Sequence, residues 1–186
     1  MSQKFRNKYR ISTTRIQTWD YGSNASYFIT ICTGGRIPFF GKISPGNPQM
    51  DLSALGHVAF DLYKNIPSYF SYVVLDEFVI MPDHIHGIIT IKKPITDGNC
   101  RAAINRTSTN DDIPMKNGGV TGNKNPMFHQ NLSRIIRWFK GRTTFECRKI
   151  NSDFHWQSGF HEHIIRNSES HQRIKNYIRN NPLNWK

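Results

Sequence analysis

The period of the apolar residues changes several times along the chain, and each change marks an element. From Tyr27 the run YFITICT alternates β-branched and aromatic residues with smaller ones, predicting a strand that ends at Gly34 and Gly35. IPFFGKI, from Ile37, predicts a second, shorter strand. From Asp51 onward Leu52, Leu55, Val58, Ala59, Leu62 and Ile66 recur at helical spacing. This predicts an amphipathic helix with Asp51 or Ser53 as its cap and Pro67 near its stop. YVVLDEFVIM and HIHGIITI are β-rich runs separated by Pro82 and Asp83, which is turn chemistry between antiparallel neighbours. The expected hairpin carries His84 and His86 on its second strand.

From about Lys93 to Met127 the chain is polar, rich in Gly, Asn and Thr, and nearly free of large apolar residues, which predicts a mobile insertion. Helical spacing resumes in NLSRIIRWFKGRTTFECRK. Here Leu132, Ile135, Ile136 and Phe139 form an apolar stripe, and Arg134, Arg137, Lys140 and Arg148 favour another face. FHWQSGFHEHIIRN predicts a short strand or two. Ser168 then caps a last helix through ESHQRIKNYIRNN, which Pro182 stops. Strand, helix, hairpin, helix, strand and helix in this order predict an α+β fold, an antiparallel sheet with helices packed on it, and no internal repeat is evident. A chain of 186 residues suits one domain with a real core and is short for two.

Charge narrows the partners. Lys and Arg number 25 against 13 Asp and Glu, a formal charge of +12, and the pI is near 9.9, which favours a polyanion, nucleic acid first. An anionic membrane surface is the weaker alternative: no apolar run is long enough to span a bilayer, and the basic residues are interleaved with aromatics. The first residues lack the apolar segment of a secretory signal, so a cytoplasmic location is expected. Cys32, Cys100 and Cys147 are odd in number and widely spaced, which indicates neither a disulfide framework nor a cysteine-based zinc site.

His84 and His86 stand two apart on a predicted strand, so their side chains share a face and can share a divalent ion. In an otherwise apolar strand, buried imidazoles need partners. His161 and His163 have the same spacing, and spacing alone does not choose between the pairs. A histidine-triad hydrolase would need a histidine at position 88, where Ile88 stands. A two-histidine phosphoesterase would need Thr or Ser where His86 and His163 stand. Tyr177 and Asn181, four apart on the last helix, can face one neighbour, but Ile174, Tyr177 and Ile178 also fit a core stripe, and Asn181 before Pro182 fits an ordinary helix end. The four tryptophans likewise suit packing as well as base stacking.

Taken together, LDEFVIMPDHIHGIITI, FKGRTT, WQSGFHEHIIRN and YIRNNPLNW, in this order, closely resemble the REP-associated tyrosine transposases, relatives of the single-tyrosine HUH insertion-sequence transposases. The match runs from Tyr27 to Trp185 apart from the insertion. The resemblance implies a ferredoxin-like HUH endonuclease architecture across residues 1–186. It makes His84-Ile85-His86 the metal-binding motif, Tyr177 the nucleophile and Asn181 a third, amide-bearing ligand to Mg²⁺ or Mn²⁺. The implied activity is cutting and rejoining of single-stranded or hairpin DNA through a 5'-phosphotyrosine. The +12 charge and the basic helix face, independently of the resemblance, make Arg134, Arg137, Lys140 and Arg148 the expected DNA-binding residues. Asp83 stands where relatives usually carry Asn; both form turns well, so little effect is expected. Two other functions compete: a non-catalytic regulator that binds hairpin DNA or RNA, and a replication initiator or relaxase-type nickase. Monomer and homodimer both stay open.

Overall fold

The computed structural model describes residues 4–5, 8–9, 16, 18–44, 47–94 and 130–185. The predicted insertion at 93–127 lies, beyond Pro94, outside the described residues. In chain order the elements are β1 (Lys4–Phe5), β2 (Lys8–Tyr9), β3 (Ala25–Cys32), β4 (Gly41–Ser44), β5 (Asn47–Leu52), α1 (Ala54–Lys64), α2 (Ile66–Tyr69), β6 (Val73–Met81), β7 (His84–Ile91), α3 (Leu132–Cys147), β8 (His161–Ile165) and α4 (Ser168–Asn180).

Four strands form the central antiparallel sheet in the order β6-β7-β3-β8, and β1-β2 and β4-β5 are separate antiparallel ribbons. The fold is α+β, as the hairpin signal requires. Side chains alternate across the sheet, which gives it two unlike faces. Tyr27, Ile29, Ile31, Ile85, Ile89 and Ile91 point to one, where they join Leu55, Ala59 and Tyr63 of α1 and Leu132, Ile135, Ile136 and Phe139 of α3 in the main core. Gly87 is needed on this face, because a Cβ there would lie 2.1 Å from the Tyr63 hydroxyl oxygen. The other face carries a small cluster of Ile88, Ile165 and Ile178, the last from α4, with Phe28, Val79 and Ile174 packed around it.

Four local expectations need correction. The strand predicted across IPFFGKI is confined to Gly41–Ser44, since Pro38 has no N–H to give a ladder and Phe39–Phe40 form a turn that seats Phe40 in the core. Asp51 and Leu52 belong to β5, and α1 starts only at Ala54, where the Ser53 hydroxyl accepts from the Gly56 N–H at 3.1 Å. Pro67 does not stop α1, which ends before Asn65; it sits in the first turn of α2, where its missing N–H costs nothing. Asn167, not Ser168, caps α4, its side-chain oxygen accepting from the Ser170 N–H at 2.8 Å.

Candidate active site

The β6–β7 turn brings His84 onto the face that α4 covers, and the two-residue period puts His86 beside it. A neighbouring loop fixes this turn. Thr33, fully buried, donates its N–H to the Asp83 carbonyl at 2.9 Å and its hydroxyl to the same oxygen at 2.9 Å, while Phe40 donates to the Pro82 carbonyl at 3.0 Å.

Both imidazoles are buried, each 6% exposed, and each has one nitrogen held. His84 Nδ1 meets the Asp83 carboxylate at 2.5 Å. A carboxylate only accepts, so this nitrogen carries the hydrogen and Nε2 is left with a lone pair. The second oxygen of Asp83 pairs with Arg36 Nε at 3.2 Å. Arg36 holds a positive φ of 57°, a conformation non-glycine residues rarely adopt. His86 Nδ1 is hydrogen-bonded to the Thr30 hydroxyl at 2.8 Å, across the paired positions Thr30 and His86. The two Nε2 atoms face each other at 3.1 Å. Burial, and then the neighbouring His84, pushes His86 down to about 3. Burial also lowers His84, outweighing the opposing pull of Asp83. Burial thus favours the neutral form of both rings, the form in which an imidazole can ligate a cation.

Tyr177 reaches this pair from α4. Its hydroxyl lies 3.4 Å from His86 Nε2, and its ring meets His86 edge-on at 5.4 Å and Phe28 at 6.0 Å. It is 48% exposed, so the phenol is open to a large substrate on one side and packed on the other. Asn181, half-buried, follows one turn later and ends α4; its side chain makes no capping hydrogen bond. After the turn at Pro182–Asn184 the chain brings Trp185 to 6.0 Å from the His84 ring. Two nitrogen ligands at about 2.1 Å and right angles to one another stand about 3.0 Å apart, close to the observed 3.1 Å between the two Nε2 atoms, so the imidazole pair could span one divalent ion. Among the described residues no group of three or more His, Cys, Asp or Glu side chains could hold a metal, so an ion at His84 and His86 would need its other ligands from an amide, substrate or water.

His161 and His163 lie on the same sheet face, His161 next to Thr30 on the side away from His86, but both are exposed on the edge strand. The four basic residues expected to bind DNA, three on α3 and Arg148 just past its end, separate. Arg137, Lys140 and Arg148 line a groove of about 1110 Å³ that runs between α3 and residues 155–162 and reaches Thr30 and Cys32 beside the histidines. Arg134 does not line it and lies close enough to Tyr72 for its charge to act on that phenol. Within the groove Lys140 is already engaged, donating to the carbonyls of Gln157 and Gly159 at 2.7 Å each, and burial lowers its pKa. Arg148 donates to the Phe154 carbonyl at 3.0 Å. Arg137 is exposed on the wall. Sequence reasoning passed over Thr30, Arg36, Phe28 and the carboxylate role of Asp83; only the need of buried imidazoles for partners pointed toward them.

No family model matches the chain. An uncharacterized protein of Haemophilus influenzae is 38% identical over 172 residues, covering 92% of this chain and 87% of that one. The chain belongs to the same family as that protein. Its fold is that of a REP-associated tyrosine transposase: the solved structure of one such protein, bound to a REP hairpin, matches with a TM-score of 0.50 at 20% identity, over 93% of this chain and 73% of that one. The transposase fold thus frames the two histidines and the tyrosine. No helix among the described residues is long and apolar enough to cross a membrane.

Proposed function

We propose that the chain is a cytoplasmic, metal-dependent endonuclease and strand transferase for single-stranded DNA, cutting at hairpin-associated sites with Tyr177 as nucleophile. The observation that carries this reading is the convergence of three groups, the Tyr177 hydroxyl 3.4 Å from His86 Nε2 and His84 Nε2 3.1 Å from the same nitrogen. His84, His86 and Asn181 would hold the ion, Mg²⁺ or Mn²⁺, which when bound polarises a phosphodiester and neutralises charge on its nonbridging oxygen.

The chain's own residues do the rest. Asp83 and Thr30 fix the two rings by their Nδ1 atoms, so both Nε2 atoms turn to one point. Phe28 and His86 hold the tyrosine ring while its hydroxyl stays accessible. A phenol keeps its proton at neutral pH and gives it up as it attacks. The phenolic oxygen bonds to phosphorus, and the bond from phosphorus to the 3' oxygen of the preceding nucleotide breaks. The products are a 5'-phosphotyrosine and a free 3'-hydroxyl. Attack by a 3'-hydroxyl on that ester returns the phenol and joins strands without a nucleotide cofactor, because the ester keeps the energy of the broken bond. The net positive charge, Arg137 and Arg148 in the groove, and the REP hairpin bound by the structural relative all support DNA as substrate.

The test is incubation of a labelled single-stranded hairpin with the protein and Mn²⁺, followed by mass spectrometry of the denaturant-resistant adduct. The DNA-linked peptide should contain Tyr177. An adduct on the buried Tyr27 or Tyr72, or cleavage that persists in Tyr177→Phe, overturns the assignment. Tight hairpin binding with no cleavage in any divalent metal would identify a regulator instead.

A further inference from the structure

We infer that Asp76 and Glu77 are positioning residues for Tyr177: a bulge in β6 turns both carboxylates toward α4, and their ion pairs set the roll of that helix over the sheet. This rests on Tyr177 being the nucleophile. Pairing of β6 with β7 shifts between Leu75, which faces Ile89, and Phe78, which faces Gly87, so Asp76 and Glu77 together stand opposite Ile88. Successive residues of a regular strand point to opposite faces, and the extra residue of a bulge relaxes that rule. Both carboxylates consequently reach α4. Asp76 pairs with His171 Nε2 at 2.9 Å and with Lys175 Nζ at 2.8 Å, and Glu77 pairs with Arg179 Nε at 2.7 Å.

His171, Lys175 and Arg179 are spaced by four and form one stripe along α4. At 3.6 residues per turn, Ile174 and Ile178 lie under the middle of the helix and Tyr177 on the flank away from the stripe. The apolar contact is narrow: Ile178 is the one buried residue of α4, with Ile174 partly buried beside it. So thin a ridge leaves the helix free to roll, and the charged flank fixes it. A roll of 10° moves the outer edge of a helix by about 1 Å, which is enough to spoil attack.

The test compares wild type, the double variant Asp76→Asn with Glu77→Gln, and the exchanged pair Glu77→Arg with Arg179→Glu. In the double variant the rate of adduct formation should fall by about tenfold to a hundredfold, with hairpin and Mn²⁺ affinity within about twofold of wild type. Partly solvated surface pairs contribute little to stability, so Tm should fall by no more than about 4 °C. The exchanged pair should recover most of the rate that Glu77→Arg alone loses, which a loss of stability would not explain. A readout independent of chemistry is the fluorine resonance of 3-fluorotyrosine placed at position 177, which should move toward its solvent-exposed value in the double variant. An unmoved resonance overturns the inference even if no variant, wild type included, forms an adduct. A moved resonance without any wild-type adduct keeps the clamp and removes the nuclease reading. An unchanged adduct rate in the double variant, or no recovery in the exchanged pair, overturns it when wild type is active.

Discussion

One sheet carries two faces built on opposite plans. Under α1 and α3 the contacts are deep and apolar: Tyr27, Ile29, Ile31, Tyr63, Ile85, Ile89, Ile135 and Phe139 are all fully buried. Under α4 the apolar cluster shrinks to Ile88, Ile165 and Ile178, and polar contacts take over, with Thr30 and Asp83 on the histidines and Asp76 and Glu77 on the helix. Apolar burial stabilises without direction, and hydrogen bonds and ion pairs give direction with little net stability. The first face holds the fold, and the second holds a phenol and two imidazoles in register. β7 belongs to both, since its alternate residues pack the core and present the histidines.

The largest expected break of this contrast is on the polar face. Tyr177→Phe should abolish the covalent adduct completely, while the ring keeps its contacts with Phe28 and His86 and Tm stays within about 2 °C of wild type. Denaturing electrophoresis of the labelled strand, with calorimetry on the same sample, checks both halves. The mirror experiment is Phe139→Ala on the core face, where a fully buried ring in contact with Tyr63 and Trp156 is lost. Unfolding free energy should drop by about 3–5 kcal/mol, measured in urea, with the adduct rate per folded molecule nearly unchanged. If Phe139→Ala removed the chemistry at low temperature without loss of stability, the separation of the two faces would be wrong.

A middle-sized effect sharpens the account of the histidines. Asp83→Ala removes the acceptor that fixes His84 Nδ1 and leaves Arg36 without its carboxylate. Affinity for Mn²⁺, read by titration calorimetry, should fall by about tenfold to a hundredfold. Asp83→Asn should lose less, because an amide oxygen still accepts from Nδ1–H. Equal losses in the two variants would mean that the charge of Asp83, and not the orientation it imposes, is what matters.

These contrasts also explain what the sequence made legible. Leu132, Ile135, Ile136 and Phe139 were readable because helix period and burial coincide, and the β6–β7 hairpin because Pro82 and Asp83 leave little else for the chain to do there. Asp83 read as a turn former alone, since nothing local says that its carboxylate bends back onto His84. Thr30 lies 56 residues from His86, and only the register of β3 on β7 joins them. Arg134 and Arg137 look equivalent on a helix, yet one lines the groove and the other lies toward Tyr72. β5 has no clear signature because NPQMDL has no clean alternation and carries a proline at its second position. The bulge at Asp76 and Glu77 has no local signature, because either carboxylate would suit the solvent side of a regular strand. Local period fixed the elements, and pairing over long separations fixed the site.

The smallest expected effect concerns acid. The Asp76 carboxyl is held below its ordinary value: burial pushes it up, but the Lys175 hydrogen bond and charge, with His171 behind them, outweigh that. The titratable groups facing it are His171 and Lys175 from α4, with the Glu77 carboxylate next to it on β6. A carboxyl whose folded pKa is depressed contributes stability that is present above its unfolded value of about 4 and is lost as pH falls through the folded value. Asp76→Asn should therefore cost less than about 1 kcal/mol near neutrality, and its unfolding curve should converge with that of wild type as pH falls below the ordinary carboxylate range. Urea unfolding of the two proteins across an acid series makes the comparison. A gap that instead widened in acid would mean that Asp76 is stabilised in its neutral form, and α4 would then be held by packing and not by charge.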